Sequence, residues 1–429
     1  MRKPVLATLI AGSFLSLNAH AINLMQVYQE ALANDAQFAS ARAALTAGQE
    51  RTTQGRAGLL PRVGVEGTYA RSYRGSATPT VSSNSYSVAL SQPLLPVADW
   101  QAYEQSKLAV AISEAQFAQA QQDLIVRVSQ AYFDVLASQD ALASVQAQKT
   151  AITEQLASAK RNFEVGTATI TDTHEAQARY DLVVAQEFAA QNDLEIKRTA
   201  LQQIIGKPAG ELATLRPGVK LSAPEPVAID QWVQSAEQQN YGVVSQQLSL
   251  ESAQREIKKS RAEHLPTVDL QAARSYSDRV TNSGPAGYSN ALQVRWTIPL
   301  YAGGSVTSRV RESIALEDKA RADLENTRRV AAQGARQAFL GVNSGLAQVK
   351  ALEAAEISSQ SALESNRLGY QVGVRINIDV LNAQQQLFST RRDLARARYD
   401  TIVNGLKLKS AAGTLKEEDL VQVNSLLVE

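Results

Sequence analysis

The side chains best suited to chemistry are few in this 429-residue chain, and their spacing assembles no catalytic centre. There are three histidines and no cysteine, which removes thiolate metal sites, thiol catalysis and disulfides. His174-Glu175 opens like a zinc-protease motif, but Ala178 stands where the second metal-binding histidine is required. His264 precedes Leu265-Pro266 at a helix–strand junction, a structural place, and His20 lies in the leader described below. Gly206-Lys207-Pro208 lacks the glycine spacing of a phosphate loop. No catalytic residue, metal site or cofactor is expected, so the chain reads as a non-enzyme. What remains is a pair of acids, each six residues after a glycine: Asp172 after Gly166, and Asp379 after Gly373. An acid there suits the first turn of a helix, where it complements the positive end of the dipole.

That pairing belongs to a longer repeat. Phe163-Glu164-Val165-Gly166-Thr167 returns 207 residues later as Tyr370-Gln371-Val372-Gly373-Val374. Asp193 matches Asp400, Leu201 matches Leu408, and Gly206 matches Gly413 at the same offset. Leu60-Pro61-Arg62-Val63 returns as Leu265-Pro266-Thr267-Val268, and Gln130-Ala131-Tyr132 as Gln337-Ala338-Phe339. A unit of half the chain means a tandem duplication, one integrated body with pseudo-twofold character. The expected organisation is a leader over 1–21, a first repeat over 22–206, a Pro-rich linker over 207–226 and a second repeat over 227–429.

The leader has Arg2 and Lys3, an apolar run from Val5 to Leu17, and Ala19-His20-Ala21 as a small-x-small cleavage site. The run is short of the about 20 residues a spanning helix needs, so it is read as a cleaved export signal. Losing Arg2 and Lys3 takes the 43 basic residues to 41 against 42 acidic ones. Near-neutrality argues against a nucleic-acid partner.

Proline is absent from 97–207 and from 300–429, and glycine from 97–165. Both residues interrupt helices. Apolar residues at Leu124, Val128, Tyr132, Val135, Leu142, Val145, Ile152, Leu156 and Phe163 form one helical stripe. A helix over 98–164 would be about 100 Å long, wider than any globular core, so it must lie in a coiled coil or elongated bundle. Val165-Gly166-Thr167 and Val372-Gly373-Val374 then read as hairpin tips, with glycine in the left-handed conformation.

Between the helices lie four period-2 segments, around Val63–Tyr69, Tyr86–Leu90, Val268–Ala272 and Ala291–Ile298. Each has the ~10-residue length of a tilted membrane strand. The intervening loops, Gly75–Asn84 and Asp278–Gly287, are rich in Ser, Asn and Gly. Open sheet edges are not viable in lipid, and four strands cannot close a barrel alone. The sheet must be shared between copies; two copies would give about eight strands, three about twelve.

The chain here resembles the TolC family of outer-membrane exit ducts. The resemblance rests on Leu265-Pro266-Thr267-Val268-Asp269-Leu270, on Ile298-Pro299-Leu300-Tyr301-Ala302-Gly303-Gly304, on Val372 to Leu381, and on Lys409-Ser410-Ala411-Ala412-Gly413-Thr414-Leu415. It implies a mixed, mainly α fold: a homotrimer whose twelve-stranded barrel, four transmembrane strands per protomer, continues as an α-helical periplasmic tunnel of antiparallel coiled-coil hairpins. The absence of a lipidated N-terminal cysteine resembles the branch that serves type I protein secretion as well as drug efflux. By the same resemblance Tyr370, Arg375 and Asp379 fall on gate positions of the second hairpin, and Thr171 and Asp172 on partner positions of the first. Arg375 and Tyr370 are then expected to donate to Asp172 and Thr171. Asp379, repeated threefold, would form a carboxylate ring that attracts cations. Asn382, one turn on, replaces an acid found in some relatives, which weakens the expected ring. Val165, Gly166 and Thr167 with Val372, Gly373 and Val374 are expected to dock a periplasmic adaptor.

The implied function is an exit duct in the outer membrane of a Gram-negative envelope, with a large periplasmic part. An inner-membrane ABC or proton-driven transporter would feed it through the adaptor. The competing class is a structural or adhesive envelope coiled-coil protein with no open lumen.

Overall fold

The computed structural model describes residues 21–72, 81–279 and 286–428. The expected leader, except Ala21, and most of both strand–strand loops lie outside the described residues. The order is α1 (Leu24–Asn34), α2 (Ala36–Ala57), β1 (Arg62–Ser72), β2 (Val81–Pro93), α3 (Val97–Glu164) and α4 (Ile170–Ile205), then α5 (Ile229–Gln239), α6 (Tyr241–Ala262), β3 (Thr267–Ser277), β4 (Gly287–Thr297), α7 (Ser305–Gln371), α8 (Asn377–Ala411) and α9 (Glu417–Asn424). Each half therefore reads helix pair, β-hairpin, very long helix, tip, long helix.

The helices α3 and α7 have 68 and 67 residues, about 100 Å each at the usual rise. Each folds back on its partner, α3 on α4 and α7 on α8. Ion pairs tie the hairpins across: Lys149 to Glu187 at 2.7 Å in the first, Arg391 to Glu356 at 2.9 Å and Arg398 to Glu353 at 2.7 Å in the second. Such surface pairs contribute at most about 1 kcal/mol each, so apolar packing holds the hairpins. Of the expected stripe, Leu124, Val128, Tyr132, Val135, Val145, Ile152 and Leu156 are buried. Phe163 is exposed instead, because it sits at the tip, where α4 has already turned away.

The widest core lies around the middle of α3. Tyr132, Phe133 and Leu136 pack there against Leu24 and Val27 of α1, Leu201 and Ile205 of α4, Leu406 of α8 and Leu420 of α9. Tyr132 donates to the Ala213 carbonyl at 2.7 Å. Tyr399 stacks on Phe133 at 5.6 Å and donates to Asp140 Oδ2 at 2.6 Å. Burial pushes the Asp140 carboxyl above its usual range, and the Tyr399 hydrogen bond only partly opposes this. The expected linker is built into this belt. Ile22 pairs with Leu212, and Leu215 with Leu427, so the segment between the halves clasps both ends of the described chain.

The four strands form one antiparallel sheet in the order β1-β2-β3-β4. Register puts Val63, Val65 and Tyr69 on the same face as Tyr86, Val88 and Leu90, Val268 and Leu270, and Leu292, Val294 and Trp296. The other face carries Glu66, Ser87, Gln271, Gln293 and Arg295, with Gln293 donating to Gln271 at 2.8 Å. At the loop end Tyr86, Tyr276 and Tyr288 form a row, with ring centroids 4.8 and 5.0 Å apart. A mainly apolar face, with Arg274 and Asn290 beside the aromatic row at its loop end, backed by a polar face, is the pattern of a barrel wall in lipid.

Candidate functional site: the hairpin tips

The two tips are built alike. In the first, Val165 N donates to Arg161 O at 3.1 Å, Gly166 N to Phe163 O at 3.0 Å and Thr167 N to Asn162 O at 2.8 Å. In the second, Val372 N donates to Leu368 O at 3.1 Å, Gly373 N to Tyr370 O at 3.1 Å and Val374 N to Gly369 O at 2.8 Å. The glycines adopt φ +74° and +77°, where an L side chain is strained. Val165, Val372 and Val374 are exposed, so both tips present bare apolar surface.

The two aspartates at the tips have different local partners. Asp172 closes a capping box: its Oδ2 accepts from Thr169 N and Thr169 Oγ1, both at 2.9 Å, and its own N donates to Thr169 Oγ1. At the equivalent place in the second half stands Ile376, which has no side chain to cap with. The Asp379 carboxylate instead faces Arg375 at 3.6 Å. Thr171 is exposed on the first turn of α4.

Within one chain the expected links from Arg375 and Tyr370 to Asp172 and Thr171 are not the bonds the structure makes. Arg375 pairs with Asp379 one turn on, and Tyr370 Oη accepts from Asn162 Nδ2 at 3.2 Å. For Asp172 and Arg375 the physical reason is locality: a cap three residues away and an ion pair four residues away need no further chain closure. Tyr370 instead bonds across to α3.

Other polar residues connect the two hairpins. Buried Asn377 donates to the Asp172 carbonyl at 3.3 Å and accepts from Gln155. Arg179 of α4 donates to Asn382 Oδ1 at 2.9 Å and Gln385 Oε1 at 2.6 Å on α8. Sequence reasoning passed over Gln155, Asn162, Arg179, Asn377 and Gln385. Their signal was a break in the repeat: at the 207-residue offset these positions hold Ala362, Gly369, Gln386, Ile170 and Ala178. Bonds between unlike halves sit where the halves differ.

Long paired helices, a membrane-type sheet and two equivalent tips define the architecture. The chain matches the family described as "Outer membrane efflux protein" over residues 27–207 and 232–414. It belongs to that family. Like other proteins of the efflux family, it is an outer-membrane protein. It is 34% identical to the outer membrane protein TolC of Escherichia coli (strain K12), over 99% of this chain and 88% of that protein. It is 32% identical to the proteases secretion protein PrtF of Dickeya chrysanthemi, over 98% of this chain and 94% of that one. The fold superposes on the CmeC outer membrane channel of Campylobacter jejuni with TM-score 0.80 at 18% identity, covering 94% of this chain and 89% of that one.

Proposed function

We propose that three copies of the chain form a passive duct that carries substrates from the periplasm to the outside. The observation that carries this reading is the unclosed sheet. Strands β1 and β4 are both edges within one chain, and an open edge in lipid leaves several backbone groups unsatisfied at several kcal/mol each. Pairing β4 of one copy with β1 of the next satisfies them, and three copies make a closed wall of about twelve strands. The helical hairpins then continue the wall as a tunnel. Crosslinking and mass measurement in detergent are expected to give three copies. Because the chain has no cysteine, single cysteines introduced on the β1 and β4 edges should link between subunits. A stable monomer that inserts into membranes would overturn the architecture.

The tips are the natural contact for a periplasmic adaptor that couples the duct to an inner-membrane ABC or proton-driven transporter. An added Cβ at Gly166 or Gly373 meets nothing within 4 Å, so a substitution there strains the turn without a clash at Cβ. Gly166→Val and Gly373→Val should leave the trimer intact and impair export by distorting the turns. Normal export by both variants at normal expression would count against the tips as docking surface. Relatives named for protease secretion, such as PrtF, favour polypeptides as cargo beside small molecules.

In this duct Asp379 is the constriction ring, with Arg375, Tyr370, Thr171, Asp172 and Asn382 around it. The support is that Asp379 alone of the two tip aspartates has no capping role.

A further inference from the structure

We propose that Arg179 is a specificity-determining brace of the constriction: it clamps α8 to α4 and sets a positive charge one turn behind Asp379. The inference rests on the placement of the constriction at Asp379.

The geometry has three parts. First, Arg179 reaches across the two hairpins, with Nη1 on Gln385 Oε1 at 2.6 Å and Nη2 on Asn382 Oδ1 at 2.9 Å. Its acceptors lie three residues apart on α8, hence on one face. A planar guanidinium can bridge two such acceptors at once, while a lysine ammonium lacks the fork. Second, both acceptors are neutral amides, so the guanidinium charge is not cancelled where it lands. Third, Asn382 is three residues after Asp379, which places Arg179 beside the residue next to the ring carboxylate on the same helical face. Arg375 lies on the other side of Asp379, at 3.6 Å. The carboxylate is thus flanked by a cation towards the tip and a cation towards the helix interior. Repeated around the axis, Arg179 would hold three second-hairpin helices in place and dilute the negative field of three carboxylates.

The two effects separate with two substitutions. Arg179→Lys keeps the charge and loses the fork; Arg179→Met loses both. Full-length protein, checked for an intact trimer, is recorded in planar bilayers with hexamminecobalt(III) as the blocking cation, alongside Asp379→Asn. If Arg179 is a clamp, both substitutions raise single-channel conductance above wild type. If its charge tunes the ring, Met binds the blocker about fivefold more tightly than Lys, since the pair differs by one charge per subunit. Wild-type conductance in both Arg179 variants overturns the clamp. Equal block in Met and Lys, with block weakened in Asp379→Asn, overturns the charge role and leaves the constriction standing. Block unchanged in Asp379→Asn as well sinks the placement of the constriction itself.

Discussion

Asp379→Asn should strip the assembled duct of most of its cation preference and weaken block by a trivalent cation about tenfold or more, through the loss of three charges from one ring. The structure makes this aspartate, not Asp172, the residue to change. The Asp172 carboxylate accepts two hydrogen bonds from Thr169, whereas Asp379 follows Ile376, which offers no side-chain cap. Arg375→Ser is the counterpart with opposite sign. It removes the guanidinium at 3.6 Å, so cation preference should increase. Combined with Tyr370→Phe, which removes the acceptor for Asn162, it also loosens α7 from α3, where Arg367–Glu154 at 3.9 Å remains, and conductance should rise. Planar-bilayer recording of the Asp379 variant and the double variant reads both effects. If selectivity stays put in the first and conductance in the second, the constriction lies elsewhere.

Gly413→Val should prevent the protein from accumulating as a folded trimer. Gly413 ends α8 with φ +73°, and Thr414 N closes the turn onto Lys409 O at 2.9 Å. A Cβ on Gly413 would stand 2.2 Å from the Gln239 carbonyl oxygen and 2.9 Å from Asn240 N. Those are backbone atoms at the corner between α5 and α6, so no side-chain rotation relieves the clash. Asn240 Nδ2 donates to Ala411 O at 3.0 Å and Ser235 Oγ to Ala412 O at 3.2 Å, which fixes the corner from the other side. Left-handed strain costs about 1–2 kcal/mol and overpacking about 1–3 more, a large part of a typical stability of about 5–15 kcal/mol. At its repeat mate Gly206 an added Cβ would meet Asn34 Cβ at 3.1 Å, a milder crowding that a small shift relieves. Gly206→Val should therefore retain trimer where Gly413→Val does not. Trimer bands on unheated gels and protease resistance of the membrane fraction decide it; wild-type trimer in Gly413→Val would show that the α5–α6 corner moves.

The sequence by itself determined the elements and their order. Proline is absent from 97–207 and from 300–429, and glycine from 97–165, so nothing there forced a long helix to break; α7 runs on through Gly334, Gly341, Gly345 and Gly369. The period-2 segments could only be strands, and the repeat required each element to occur twice. The glycine tips, the helix lengths and the membrane character of the sheet follow from patterns a few residues long, because helix and strand periodicity are local properties. The different partners of Asp172 and Asp379 are local too, since Thr169 stands three residues before one and Arg375 four before the other. The tertiary structure alone decided which polar groups distant in sequence meet. Arg179 and Asn382 are 203 residues apart and join only because α4 and α8 converge near the tips. The segment over 207–226 reads as a tether in sequence, and the fold makes it a clasp between Ile22 and Leu427. A hydrogen bond depends on angstrom-scale placement of two side chains brought together by packing, and no spacing along the chain encodes that distance.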